Sequence, residues 1–139
     1  MKYLSHLLFL LYSVKQSYLR RIIFRILLKL EGGEFYSPTL RKIFKIYHGV
    51  EVGLYSYGCF DTINIPAGTS IGRYCSFAQG VVIMNANHPL ERLSTHPFFY
   101  NPLLKIVNEL KIVRGEISIG HDVWIGRNAL ILPRVRCIG

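Results

Sequence analysis

The reactive chemistry of this 139-residue chain rests mainly on three cysteines and five histidines. The cysteines, at positions 59, 75 and 137, form no CxxC pair and no regular ladder. Neither a zinc knuckle nor a disulfide framework is therefore expected. Their odd number, with no secretory signal ahead of them, points to a reducing compartment, so a cytoplasmic location is expected. Histidine ordinarily titrates near pH ~6.5, so it takes or gives a proton close to neutrality. The five stand at 6, 48, 88, 96 and 121. His6 and His48 lie in the N-terminal third and are expected on the surface. His96 sits in a Ser-Thr-His-Pro run and is expected to pack a loop. His88 precedes a 24-residue stretch, residues 89–112, that carries Pro89, Pro97, Pro102 and the cluster Phe98-Phe99-Tyr100. Irregular loops of that length inside a compact domain usually serve function.

What holds His88 in place is a repeat of six. Ile65, Ile71, Phe77 and Ile83 fall six apart, and the series resumes at Val113, Ile119, Ile125, Ile131 and Cys137. Gly72, Gly120 and Gly126 directly follow three of these markers, and small or β-branched residues follow four positions on: Thr69, Cys75, Val81, Ile117, Val123, Ala129 and Val135. Neither a helix nor a flat strand has reason to repeat this way. A parallel β-helix does: each six-residue unit is one short strand plus a corner, and three units close a triangular coil. The marker points inward, the second inward site near the corner stays small, and glycine relieves the bend. His88 then lies at a coil corner, beneath the protruding loop.

Ahead of the repeat, residues 3–30 read as an amphipathic helix, with Leu4, Leu8, Leu11, Leu19, Ile23 and Leu27 among the residues on its apolar stripe. Gly32-Gly33 stops it, and a shorter helix is expected over 39–47. The chain thus divides into a helical segment, 1–48, and a β-helix domain, 49–139, with the loop at 89–112. Nine of the seventeen Lys/Arg lie in residues 1–48, against two of the eight Asp/Glu. Such a patch suits a membrane surface or a phosphorylated ligand. Nucleic acid is not expected, because no helix-turn-helix, zinc or aromatic ribonucleoprotein signature accompanies the charge. The longest uncharged run there, residues 3–14, is far short of the ~20 residues that span a bilayer. The segment is therefore expected to touch a membrane peripherally at most.

Four motifs give the coil a family likeness: Ile71-Gly-Arg-Tyr-Cys-Ser76, Asn87-His88-Pro89, Ser94-Thr-His-Pro-Phe-Phe99 and Ile119-Gly-His-Asp-Val-Trp-Ile-Gly126. With them, residues 50–139 resemble the left-handed β-helix O-acetyltransferases of the hexapeptide-repeat superfamily, in the xenobiotic (streptogramin and chloramphenicol) acetyltransferase-like branch. The approach segment Gly33-Glu-Phe-Tyr-Ser37 resembles that of the acetyltransferases of bacterial surface-polysaccharide synthesis.

The resemblance implies a homotrimer with sites shared between neighbours, acetyl-CoA as co-substrate, no metal, and a hydroxylated acceptor: a sugar, a polysaccharide precursor or a related small molecule such as a drug. It makes His88 the general base and puts Trp124 beside the pantetheine arm of acetyl-CoA. From Arg127 it carries over a backbone N–H contact to the same cofactor. On the acceptor side it points to Tyr57 and Asp61, in Tyr57-Gly-Cys-Phe-Asp61, where related sugar enzymes have Asn at the position of Cys59. Family members continue for a further coil or more, so a chain ending at Cys137-Ile-Gly139 in mid-repeat is expected to be an incomplete domain. Two other readings share the fold. One is a non-catalytic or membrane-surface scaffold. The other is a metalloenzyme like the γ-class carbonic anhydrases, for which His88 and His121 supply two zinc ligands while Gly126 stands where the third belongs.

Overall fold

The computed structural model describes residues 2–139, so Met1 of the expected helical segment lies outside the described residues. Helices come first and short strands follow. Where one helix was expected over 3–30, two form, α1 (Lys2–Leu11) and α2 (Ser17–Leu30). The break is local in origin. Ser13, Val14 and Ser17 are weak helix formers. Arg20 then folds back on the end of α1, its Nε donating to the carbonyls of Tyr12 at 3.1 Å and Val14 at 2.9 Å. The reversal lets both helices pack on α3 (Pro38–Ile43), with Leu8, Tyr12, Ile23 and Leu27 buried.

Helix α3 begins where the Ser37 hydroxyl accepts the Leu40 N–H at 3.1 Å. Pro38 occupies the first turn, where its missing N–H costs nothing. The helix continues as a π-helical turn, Phe44–His48, and ends at Gly49 with φ 66°. His48 is not the surface residue expected: it is half-buried, with Nε2 2.9 Å from the Tyr12 hydroxyl. Burial, and next the charge of Arg20, keep its imidazole below the usual histidine range. Arg41, one of the nine N-terminal cations, is likewise withdrawn from the surface. Its guanidinium donates to five carbonyl oxygens, those of Gly53, Glu34, Ser37, Phe35 and Ser56, at 2.7–3.3 Å. It rivets the helical segment to the first turn of the repeat.

The rest is a parallel coil. The chain runs through β1 (Val50–Val52), β2 (Thr69–Ile71), β3 (Ser76–Phe77) and β4 (Val82–Ile83), and later β7 (Ile117–Ile119), β8 (Trp124–Ile125), β9 (Leu130–Ile131) and β10 (Arg136–Cys137). These strands form three separate parallel ladders, β1-β2-β7-β10, β3-β8 and β4-β9, which the chain visits in turn before returning to the first. Val50 pairs with Thr69, Thr69 with Ile117, and Ser118 with Arg136. The six-residue markers stack one coil above another: Ile71, Ile119 and Cys137 on one ladder, with Val52 paired below Ile71, Phe77 and Ile125 on the second, Ile83 and Ile131 on the third. Ile71, Phe77, Ile83, Ile119, Ile125 and Ile131 are all buried. At the corner after the first ladder, a Cβ on Gly72 would run into the carbonyl oxygen of Gly120, which is why glycine recurs there.

One marker belongs elsewhere. Val113 pairs antiparallel with Asn87, and Arg114 with Ala86, joining β6 (Val113–Arg114) to β5 (Ala86–Asn87). The excursion from the coil therefore stands on a two-stranded stem and takes in Val113. Ile83 and Ile119 are 36 positions apart, thirty more than the usual six. Coil phase resumes only at β7, where the register with β2 is restored.

Candidate functional site

His88 follows directly on β5, at the foot of the excursion, and its ring is exposed. Asn87 turns the chain there: its Oδ1 accepts the His88 N–H at 2.8 Å. The loop then returns to the histidine. Two 3-10 turns, Pro97–Phe99 and Pro102–Leu104, each start at a proline. The first is capped by His96, whose Nδ1 accepts the Phe98 N–H at 3.3 Å, a role within the loop itself. Between the turns Tyr100 is buried, 9% exposed, and its hydroxyl oxygen lies 2.9 Å from His88 Nδ1. The two rings meet edge to face, 79° apart with centroids at 5.4 Å. The sequence had flagged Tyr100 only as part of an aromatic cluster. Twelve positions separate it from His88, and nothing in that spacing announces the contact.

This contact fixes what His88 has to offer. One ring nitrogen, Nδ1, is engaged by Tyr100, and the other, Nε2, belongs to the exposed edge. If Nδ1 carries the hydrogen and donates it to the tyrosine oxygen, Nε2 keeps a free lone pair and is the proton acceptor.

Trp124 and Tyr57 share the second side of the coil. Tyr57 bridges to Ser76 and Ser76 pairs with Trp124, so the two rings belong to strands two ladder steps apart, ~10 Å. Trp124 is 78% exposed, its indole lying outside the coil. Tyr57 packs against Phe35, the rings tilted by 31° with centroids 4.6 Å apart. Arg127 is exposed just beyond Gly126. Within one chain, His88 leaves the coil after the third side, whereas Trp124 projects from the second. The expected site residues thus divide into two groups on different sides.

Asp61 is committed locally. Its Oδ1 accepts the N–H groups of Ile63 at 2.8 Å and Asn64 at 3.2 Å, and Oδ2 accepts the Asn64 side-chain amide at 2.7 Å. Burial opposes ionisation, but these hydrogen bonds outweigh it and hold the carboxyl below its usual range. The arrangement shapes the turn at residues 61–64 and occupies both oxygens.

Cys59 is fully buried, and burial with nearby Glu34 pushes its thiol up to about 12. A thiol held so high is no nucleophile at neutral pH, so it offers no route through an acyl-enzyme. His121 Nδ1 accepts the Arg73 N–H at 2.8 Å, tying neighbouring coils together. Among the described residues, no group of three His, Cys, Asp or Glu side chains is placed to hold a metal ion.

No family model matches the chain, and no solved structure matches it. Curated proteins do. The chain is 39% identical over 72 residues to a probable macrolide acetyltransferase of Lysinibacillus sphaericus, covering 47% of the chain and 39% of that protein. It is 35% identical over 71 residues to a chloramphenicol acetyltransferase of Agrobacterium fabrum, and 33% identical over 72 residues to one of Morganella morganii, covering 34% of each. The match thus spans little more than a third of each of these relatives. Over about half its length, the chain is similar to acetyltransferases.

Proposed function

We propose that this protein is an O-acetyltransferase that moves an acetyl group from acetyl-CoA to a hydroxyl of a sugar or polysaccharide precursor. The observation that carries the reading is the similarity, at 33–39% identity, to proteins named as macrolide and chloramphenicol acetyltransferases. We read the three parallel ladders as the sides of a left-handed β-helix, which the stacked six-residue markers support.

In this mechanism acetyl-CoA supplies the acyl group already activated as a thioester. An alcohol is a poor nucleophile until it loses its proton, and His88 Nε2 takes that proton as the acceptor oxygen attacks the carbonyl carbon. In the tautomer this step needs, Nδ1–H donates to the Tyr100 hydroxyl oxygen and the lone pair is on Nε2. The carbon–sulfur bond then breaks, and the proton held on His88 passes to the departing thiolate. No covalent enzyme intermediate is needed.

Trp124 suits the pantetheine arm: its indole is a broad apolar surface left open on a flat side of the coil. The Arg127 N–H serves the same cofactor. Tyr57 faces the acceptor, while Asp61 acts through the turn it builds. Because His88 and Trp124 leave one chain on different sides, a homotrimer that sets one chain's histidine beside a neighbour's tryptophan completes the site. We infer a cytoplasmic enzyme at the inner face of the membrane. The exposed apolar residues of α1, including Leu4, Leu7 and Leu10, support that contact, and they also favour the second reading, a membrane-surface scaffold without catalysis.

Thiol release from acetyl-CoA, measured across monosaccharides, oligosaccharides and chloramphenicol, separates the two. The enzyme reading expects acceptor-dependent release that His88→Ala abolishes. Vesicle binding without acetyl-CoA binding or acceptor-dependent release leaves the scaffold.

A further inference from the structure

A cleft of about 680 Å³ opens between α2, the π-helical turn and the loop after Phe60, on no part of the acetyl-transfer site except the Asp61 turn. Four cations line it: Lys15, Arg20, Arg21 and Arg25. The one acid in the lining, Asp61, spends both oxygens on Ile63 and Asn64. Arg20 is anchored through Nε to the end of α1, which leaves its two terminal nitrogens to serve the cleft. Beside the polar Ser17, His48 and Thr62, the rest of the wall is largely apolar, with Phe24, Phe44, Phe60 and Ile63, and Ile63 is 86% exposed. Outside the cleft, Tyr18, Ile22 and Ile26 leave apolar surface open on the same helix.

A cleft that joins a net positive charge, four cations against one carboxylate, to an aromatic wall complements one kind of ligand, an anion attached to a hydrocarbon chain. We propose that this cleft binds the phosphate headgroup of a membrane lipid, with the start of its acyl chain against Phe24, Phe60 and Ile63. The proposal rests on the membrane-contact reading of residues 3–30 and deepens it: the helices do not merely lie on an anionic surface but take one lipid phosphate into a defined site. A free phosphate would find the cations but leave the apolar wall bare.

The test uses three probes on the whole chain: monomeric dihexanoyl phosphatidic acid, inorganic phosphate, and phosphatidylcholine vesicles with and without phosphatidic acid. The expected result is one monomeric lipid bound per chain, far more tightly than inorganic phosphate, and flotation only with anionic vesicles. Arg21→Ala/Arg25→Ala, both exposed residues, should weaken lipid binding about thirtyfold at unchanged helicity, as the loss of two cations at a lipid phosphate. Ile63→Glu, on the opposite wall and off the helices, should weaken it too. Anionic vesicles bound without any monomeric lipid would overturn the cleft and keep the surface contact. No binding to either probe overturns both. Inorganic phosphate bound as tightly as the lipid, or lipid displaced by CoA, would also overturn the assignment.

Discussion

The hydroxyl oxygen of Tyr100 lies 2.9 Å from Nδ1 of His88, and the buried tyrosine ring meets the imidazole edge to face. A residue deep in the excursion thereby sets the orientation of the residue at its foot. The loop and the histidine at its foot form one hydrogen-bonded unit.

His88→Ala should lower acetyl transfer by ~10²–10⁴-fold, the usual worth of a general base, and lower stability by about 1–3 kcal/mol as buried Tyr100 loses its hydrogen-bond partner. Tyr100→Phe keeps the ring and deletes the hydrogen bond, so a loss of about tenfold is expected, one hydrogen bond's worth. Turnover on a verified acceptor checks both. Equal turnover of His88→Ala and the parent chain would end the assignment of the base.

Trp124 is the only tryptophan in the sequence, so intrinsic fluorescence reports its surroundings directly. Its emission should change on titration with acetyl-CoA. Trp124→Ala should raise the acetyl-CoA Kd and KM with little effect on the stability of the single chain, within ~0.5 kcal/mol, since the side chain is 78% exposed. Emission that ignores saturating acetyl-CoA, with turnover intact, would place the pantetheine arm elsewhere.

Ile125 is 7% exposed and stacks on Phe77 across the second ladder. Ile125→Ala should cost about 2–5 kcal/mol in urea unfolding, as buried large-to-small changes do. Leu130, 57% exposed on the next strand, β9, is the control: Leu130→Ala should shift the midpoint little.

Acid should loosen the joint between α2 and α3. Glu31 accepts hydrogen bonds from Ser37 Oγ at 2.5 Å and from Thr39 Oγ1 at 2.6 Å. Burial works against its ionisation, but bonds from Ser37, Ser5 and Thr39 win and hold the carboxyl below 4.5. A group depressed in the folded state contributes stability that is present above its unfolded value and lost as pH falls through its folded value. Stability should therefore drop as pH falls below ~4.5. In Glu31→Gln that part of the drop should vanish. Denaturant midpoints from pH 6 to 3, compared between the two proteins, supply the check.

The core of the coil was legible because a six-residue period leaves a one-dimensional trace: Ile71, Phe77, Ile119 and Ile125 could be placed inside from spacing alone, and they are buried. The limits lie where side chains override pattern. Val113 keeps the phase of six, yet hydrogen bonding with Asn87 draws it into the stem. The break between α1 and α2 depends on Arg20 reaching back to two carbonyls, and periodicity does not see such a bond. Arg41 counted as surface charge because sequence gives its sign and not its five carbonyl acceptors. Of the candidate site, the motif supplied His88, but its partner Tyr100 needed the folded loop. Asp61 had the right chemistry for an acceptor contact and is already spent on its own turn.

The stem of β5 and β6 has a consequence for how such a protein can change over generations. The thirty extra residues depart from the third ladder and rejoin the first without displacing the register of Thr69 on Ile117. Lengthening, shortening or rewriting the excursion therefore re-phases no inward side chain. Coil and excursion vary independently: the coil stays under selection for fit, while the excursion is free to drift, provided one hydroxyl still reaches His88.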